Sequence, residues 1–273
     1  MKQKKQWRYG LFALVCAAVL LAVGLCGCQT QEQVPEQELQ PIVVGCDDYE
    51  PYSYIETSGD YSGVDVELAK EAFHRMGYEP EFRLIPWEKR DALLQSGEVE
   101  CLWSCFTMTG RESQYRWAGP YLYSRHVVMV RADSGIWTLA DLAGRRVGVQ
   151  STTKPESVFL QRTDPRVPQV GQLYSCSDME ELQAMLRKGY VEAIASHEEN
   201  LEEMARQKED YRVLEECLYT SELGVAFESG THQEMAAQLT RTLSEMKQDG
   251  TMDRIVRKYG LDPRKVVWGG DVS

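Results

Sequence analysis

The stretch CFTMTGRES, residues Cys105 to Ser113, follows directly on the apolar run Val99 to Trp103. Three hydroxyl side chains, Gly110 and Arg111 crowd the point where a buried strand should end. Hydroxyls and backbone N–H groups around a guanidinium can cradle a small anion, because the planar guanidinium meets a carboxylate with two parallel hydrogen bonds. The plainer alternative is a solvated loop carrying a surface charge. Position separates the two: in sheets built from parallel strands, ligands sit beyond the carboxyl ends of the strands. No catalytic pattern competes for attention. The histidines (His74, His126, His197, His232) are scattered, and the sequence has no HExxH, GxSxG or P-loop signature. His74 and His232 read as solvated, and His126 as structural.

The elements around this stretch alternate. Ile42-Val43-Val44 is a short apolar run. Leu68, Ala69, Ala72, Phe73 and Met76 then share one helical face that Gly77 should stop. Strands are expected at Phe82 to Ile85 and Val99 to Trp103, with a short helix at Lys89 to Gln95 between them, and again at Val127 to Val130. A second series starts at Val147-Gly148-Val149, passes through a helix with Leu182, Met185 and Leu186, and reaches a strand at Val191 to Ala195. Leu223 to Phe227 reads as a strand, and Met235, Leu239, Leu243 and Met246 as a helix ended by Gly250, with a shorter helix after it. Strands alternating with helices predict an α/β fold with parallel sheets covered on both faces.

The amino terminus predicts the compartment. Residues 1–10 carry four basic residues and no acid, and Leu11 to Cys26 is uninterrupted apolar chain, short for a membrane span and suited to a signal peptide, with an uncleaved anchor helix as the alternative. It closes on Leu25-Cys26-Gly27-Cys28, which resembles the bacterial lipobox, with Cys28 as the residue that receives the lipid. The expected organisation is therefore a signal peptide over 1–27 and a lipidated, disordered tether over 28–41, rich in glutamine and glutamate. Loss of the signal takes the formal charge from −12 to −16, an acidic balance that argues against nucleic-acid binding and against lying flat on anionic lipid. Beyond Cys28, the cysteines at 46, 101, 105, 176 and 217 show no CxxC spacing. They signal no zinc site or other metal or cofactor, and they leave the question of one disulfide open.

Several blocks in order resemble the polar amino-acid-binding class of extracellular solute-binding proteins that serve ABC transporters. They are DDYEPYSY at 47–54, SGVDVELAKEAF at 62–73, TMTGRES at 107–113, WAGPYLYS at 117–124, LADLAGRRVGVQ at 139–150 and KGYVEAIASHEE at 188–199. The resemblance implies a two-lobed periplasmic-binding-protein-like fold (type II), its lobes joined by two crossing strands and closing on a ligand. Lobe 1 would be 42–130 with 221–273, and lobe 2 would be 131–220. The expected protein is a monomer held by its lipid at the outer face of the cytoplasmic membrane, binding an amino acid or related small carboxylate and delivering it to a membrane permease. A few relatives of this fold are dehydratases acting on prephenate or arogenate, the alternative function, and Glu198 could be proposed as the acid.

The resemblance also implies a site. Arg111 would grip the ligand carboxylate, supported by Thr107 and Thr109, and Thr153 would donate a backbone N–H from the second lobe. Tyr49 and Trp87 would form walls, with Phe106 and Tyr52 as lesser candidates, and Cys105 stands where serine is usual. The chain departs from the pattern in three further places. Thr152 replaces a glycine, the Thr109-Gly110-Arg111 spacing is one residue short, and His197 stands where an aspartate usually meets the ligand's ammonium. Either Glu198 takes that role through a one-residue shift, or His197 meets a different group.

Overall fold

A computed structural model describes residues 39–162, 164–207 and 210–270. The signal peptide, Cys28 and the tether up to residue 38 lie outside the described residues. The chain opens with β1 (Gln40–Cys46), a small hairpin of β2 (Tyr54–Ile55) and β3 (Tyr61–Ser62), and α1 (Val64–Met76). It continues through β4 (Tyr78–Leu84), α2 (Arg90–Ser96), β5 (Cys101–Leu102) and the long β6 (Arg116–Arg131). A second series follows: β7 (Arg146–Gln150), α3 (Lys154–Gln161), β8 (Gln172–Cys176), α4 (Met179–Arg187), β9 (Ala193–His197), α5 (Glu198–Gln207) and β10 (Tyr211–Val213). The chain then returns through β11 (Tyr219–Phe227) to α6 (Gln233–Gln248), α7 (Thr251–Lys258) and α8 (Pro263–Val266).

The strands join in the order β4-β1-β5-β11-β6-β9-β7-β8, with β10 also on β6. β1 runs parallel to β4 and β5, and β7 parallel to β8 and β9. The two parallel groups are stitched together by β6 and β11, which pair antiparallel. β6 pairs with β11 from Arg116 to His126 and with β9 from His126 to Val130. His126 is therefore flanked on both sides, by Tyr219 and by His197. The passage from one group of strands to the other lies at His126. The Val127–Val130 run is only the far end of this strand, because Gly119 and Pro120 break the apolar pattern of its first half.

Local physics explains most boundaries. Leu68, Ala69, Ala72 and Phe73 are buried on one face of α1, as their spacing predicts, and Gly77 ends the helix at φ +86°, its N–H bonded to the carbonyls of His74 and Phe73. The tether ends earlier than Pro41: Gln40 N donates to Gly77 O at 3.1 Å, and Gln40 and Pro41 already pair with β4. Pro41 lacks a donor but sits near the strand's start, ahead of the Val44–Gly45 pairing with β5, where none is missed. The strand expected at Val191–Ala195 is displaced to Ala193–His197, because Ala193 to Ala195 are the residues paired with β7 while Glu192 turns its carboxylate to Arg146 N at 3.1 Å.

Gly63 holds the loop of Tyr49 to Tyr54 against the start of α1. Its φ is +125°, and a Cβ there would lie 2.3 Å from the carbonyl oxygen of Tyr52, which receives Asp65 N at 2.8 Å. Gly63→Ala should therefore cost on the order of 2 kcal/mol or more. Urea denaturation measures it, and a midpoint equal to wild type would show that the loop yields freely.

Candidate functional site

Strand ends converge on one cavity. It has a volume of about 40 Å³, and its walls come from the residues that follow β1 and β5 and from the ends of β7 and β9. A water needs roughly 10–15 Å³ measured in this way, so the space holds only a few. A wider cavity of about 570 Å³ shares Asp47 and Trp87 with it and carries Asp48, Glu88, Asp178 and Glu180 on its walls.

Arg111 lines the small cavity with Thr107, Cys105 and Phe106. Gly110 precedes it at φ +79°, a left-handed turn that accommodates the short spacing and lets Arg111 N bond to Met108 O at 2.9 Å. The guanidinium lies over the Phe106 ring, 5.4 Å from its centroid, and donates to the carbonyls of Thr107 at 3.3 Å and Thr152 at 3.1 Å. Among the described residues it has no ion pair. Burial, then the nearby Arg90, lower its pKa, the mark of a cation held without a counter-charge. Thr109 does not reach the cavity. Its hydroxyl accepts from Glu222 N at 2.9 Å and so braces the loop against β11.

The aromatic candidates divide. Trp87 lines the cavity and meets Phe106 edge to face at 5.0 Å between centroids. Tyr49 lines it too; its hydroxyl bonds to Ser196 Oγ and accepts from His197 N at 3.2 Å. Tyr52 lies behind the wall, fully buried, and donates to Glu199 Oε2 at 3.0 Å.

From the other group of strands come Thr153 and His197, both on the cavity wall. Thr153 caps the start of α3 in an extended conformation. Thr152 stands at φ +60°, a left-handed conformation unfavourable for a β-branched residue and natural for glycine. Its hydroxyl holds Arg90 Nη1 at 2.6 Å, which offsets part of that strain. Glu198 is not a site residue in this geometry: it points away into ion pairs with Arg125 Nη1 at 3.0 Å and with Lys265. Of the two, it is His197 that lies on the cavity wall.

A protein-family model for bacterial extracellular solute-binding proteins, family 3, matches residues 42–262. The chain belongs to this family. The arginine-binding extracellular protein ArtP of Bacillus subtilis (strain 168) is 33% identical over 148 residues, covering 54% of this chain and 56% of ArtP. The L-cystine-binding protein TcyA of the same organism is 25% identical over 291 residues, covering 96% of this chain and 98% of TcyA. Among solved structures, that of Tv2483 bound to L-arginine superposes with a TM-score of 0.75 at 25% identity, covering 80% of this chain and 90% of that one. The fold is the mixed α/β, two-lobed periplasmic-binding-protein fold.

Within this solute-binding protein, sequence reasoning missed Asp47, Ser104, Gln150, Lys154 and Ser196, all on the cavity wall. A signal existed, since Asp47 and Ser104 stand just past the ends of β1 and β5, and Gln150 and Ser196 lie at the ends of β7 and β9. Lys154 Nζ lies 4.6 Å from the centroid of the Tyr219 ring and, like Arg111, makes no ion pair among the described residues. Asp47 accepts from Gln150 Nε2 at 2.6 Å and from Asp48 N at 3.0 Å. Burial still raises its carboxyl to about 7, against these bonds. The five described cysteines are all free thiols.

Asp47 makes stability depend on pH in a definite direction. Its folded pKa lies above the unfolded value, so its contribution is full below about pH 4 and is lost as pH rises through about 7. Asp47→Asn should remove this loss, narrowing the stability difference between pH 5 and pH 8 by on the order of 2 kcal/mol. Chemical denaturation of both proteins at the two pH values checks it, and equal pH dependence would place the titration elsewhere.

Proposed function

We propose that this protein is a monomeric extracellular receptor that binds an amino acid or related small carboxylate and delivers it to the permease of an ABC transporter. The observation that carries the reading is Arg111, a cation on the cavity wall whose guanidinium donates, among the described residues, to carbonyl oxygens and to no carboxylate. A ligand carboxylate would replace those weak acceptors with a charged, bidentate one. Thr107, Cys105 and Thr153 line the same wall, Tyr49, Trp87 and Phe106 supply apolar faces, and His197 faces the ligand from β9. The relatives named for binding arginine and cystine support an amino-acid-like solute.

A solute of that size needs more than the present 40 Å³, so entry requires the walls to part. We propose that the moving bodies are the two lobes, 42–130 with 221–273 and 131–220. The change of strand partners at His126 supports a pivot at, or a few residues before, that boundary. Closure would then be favoured by ligand contacts to both sides.

One observation favours the dehydratase alternative: Asp47, on the cavity wall with its carboxyl raised to about 7, could protonate a leaving hydroxyl. Both of its oxygens, however, are occupied by donors. Incubation with prephenate or arogenate, followed for aromatic product, separates enzyme from receptor.

A thermal-shift screen of amino acids and related acids identifies the ligand, since a solute that binds only the folded state raises its melting temperature. With that ligand, Arg111→Ala should weaken binding at least tenfold by calorimetry while leaving the fold intact. Unchanged affinity would remove Arg111 from the site. The anchor is proposed at Cys28 from the lipobox-like sequence. Cys28→Ala should move the protein from the membrane fraction to the soluble one, and retention in the membrane would refute lipidation there.

A further inference from the structure

His197 lines the cavity where a carboxylate is usual in the family resemblance, and its surroundings define how it can bond. Its Nδ1 lies 2.9 Å from Ser124 Oγ. That hydroxyl has a single proton, and a carboxylate oxygen claims it: Ser124 Oγ donates to Glu199 Oε2 at 2.6 Å. The alternative acceptor, the Arg125 carbonyl, is farther at 3.3 Å. Ser124 Oγ must therefore receive the Nδ1 proton of His197. Tyr52 donates to the same Glu199 oxygen at 3.0 Å and holds the carboxylate in place. The imidazole is locked between rings, with His126 at 4.0 Å and Tyr49 at 5.9 Å between centroids, and its Nε2 has no partner among the described residues.

We propose that His197 is fixed as the neutral Nδ1–H tautomer by Ser124 and Glu199, and presents its Nε2 lone pair to the substituent on the ligand's α-carbon. Such an acceptor can take a hydrogen bond from a hydroxyl as well as from an ammonium, and it supplies no counter-charge that only an ammonium could satisfy. The site therefore accepts 2-hydroxy carboxylates alongside 2-amino carboxylates, and discriminates against acids with no donor at that carbon. Ser124 and Glu199 are positioning residues in this arrangement. Burial and the charge of Arg111 hold the imidazole pKa down to about 3, consistent with a neutral ring throughout the physiological range. Burial raises Glu199 only to about 6, so it is largely ionised at neutral pH and remains an acceptor. The inference rests on the carboxylate-binding reading of the cavity.

Two measurements on the full mature chain test it. Nitrogen-15 NMR of the imidazole in the unliganded protein should show His197 protonated at Nδ1, and Ser124→Ala should lose that fixed preference. An Nε2–H tautomer in the wild type would overturn the inference whatever the ligand. Calorimetry would then compare matched acids: L-arginine with its 2-hydroxy analogue, L-leucine with 2-hydroxyisocaproate, L-phenylalanine with L-phenyllactate, and each with the unsubstituted acid. For any pair that binds, the hydroxy acid should lie within about tenfold of the amino acid, and the unsubstituted acid should be weaker by roughly tenfold. His197→Asp should shift the amino-to-hydroxy ratio at least about tenfold toward the amino acid. Tight binding of an amino acid with its hydroxy partner rejected more than a hundredfold would sink the inference and leave the carboxylate reading standing. If no pair binds, both fall together.

Discussion

A guanidinium on the wall of a narrow cavity, with no acid in ion-pair reach among the described residues, is the constraint around which this structure is arranged. Arg111 is drawn to the carbonyls of Thr107 and Thr152, which belong to opposite groups of strands. Its cost is reduced by those dipoles and by the face of Phe106, but carbonyls are weaker partners than a carboxylate. The cavity is thus stable enough to exist and incomplete enough to favour an anion. Arg90 and Lys154 stand nearby and make the local field more positive.

Strain collects at the same place. Cys105 at φ +48° and Thr152 at φ +60° are left-handed non-glycine residues, and both sit in loops that shape the cavity or hold Arg111. Each is retained by specific bonds. Cys105 N donates to the buried Asp65 at 2.5 Å, and Thr152 N donates to Glu156 Oε2 at 2.7 Å. Backbone strain of roughly 1–3 kcal/mol survives only where surrounding contacts over-determine it. Here those contacts reach α1 on one side and α3 on the other, so the loop geometry is underwritten by both halves of the sheet.

Behind the cavity lies a layer of neutral and paired polar groups. His126 packs on His197, and its Nε2 lies between the hydroxyls of Thr107 at 3.2 Å and Ser221 at 3.3 Å. Burial drives the pKa of His126 well down, so the pair avoids two like charges side by side. This polar layer sits where β6 changes partners. The same residues therefore join the two halves of the fold and back the cavity wall that His197 and Thr107 form.

Much of this was legible in the sequence, for a local reason. Apolar periodicity and terminating glycines such as Gly77 act within a few residues, so the alternation of strands and helices could be read without tertiary knowledge. Arg111 was readable because an apolar run and the polar loop after it are adjacent in the chain. Other assignments depend on which strands become neighbours. His197 ends β9 and Glu198 opens α5, and the packing of β9 between β6 and β7 sets His197 on the cavity wall while Glu198 turns to Arg125 and Lys265. Asp47 is bonded to Gln150, 103 residues away in the chain, in a desolvated wall. Thr109 belonged to the motif yet turned to Glu222. Local propensity determined what the elements are and where Arg111 stands. Strand order decided what each polar group faces, because burial and hydrogen-bond partnership are properties of spatial neighbours distant in the chain.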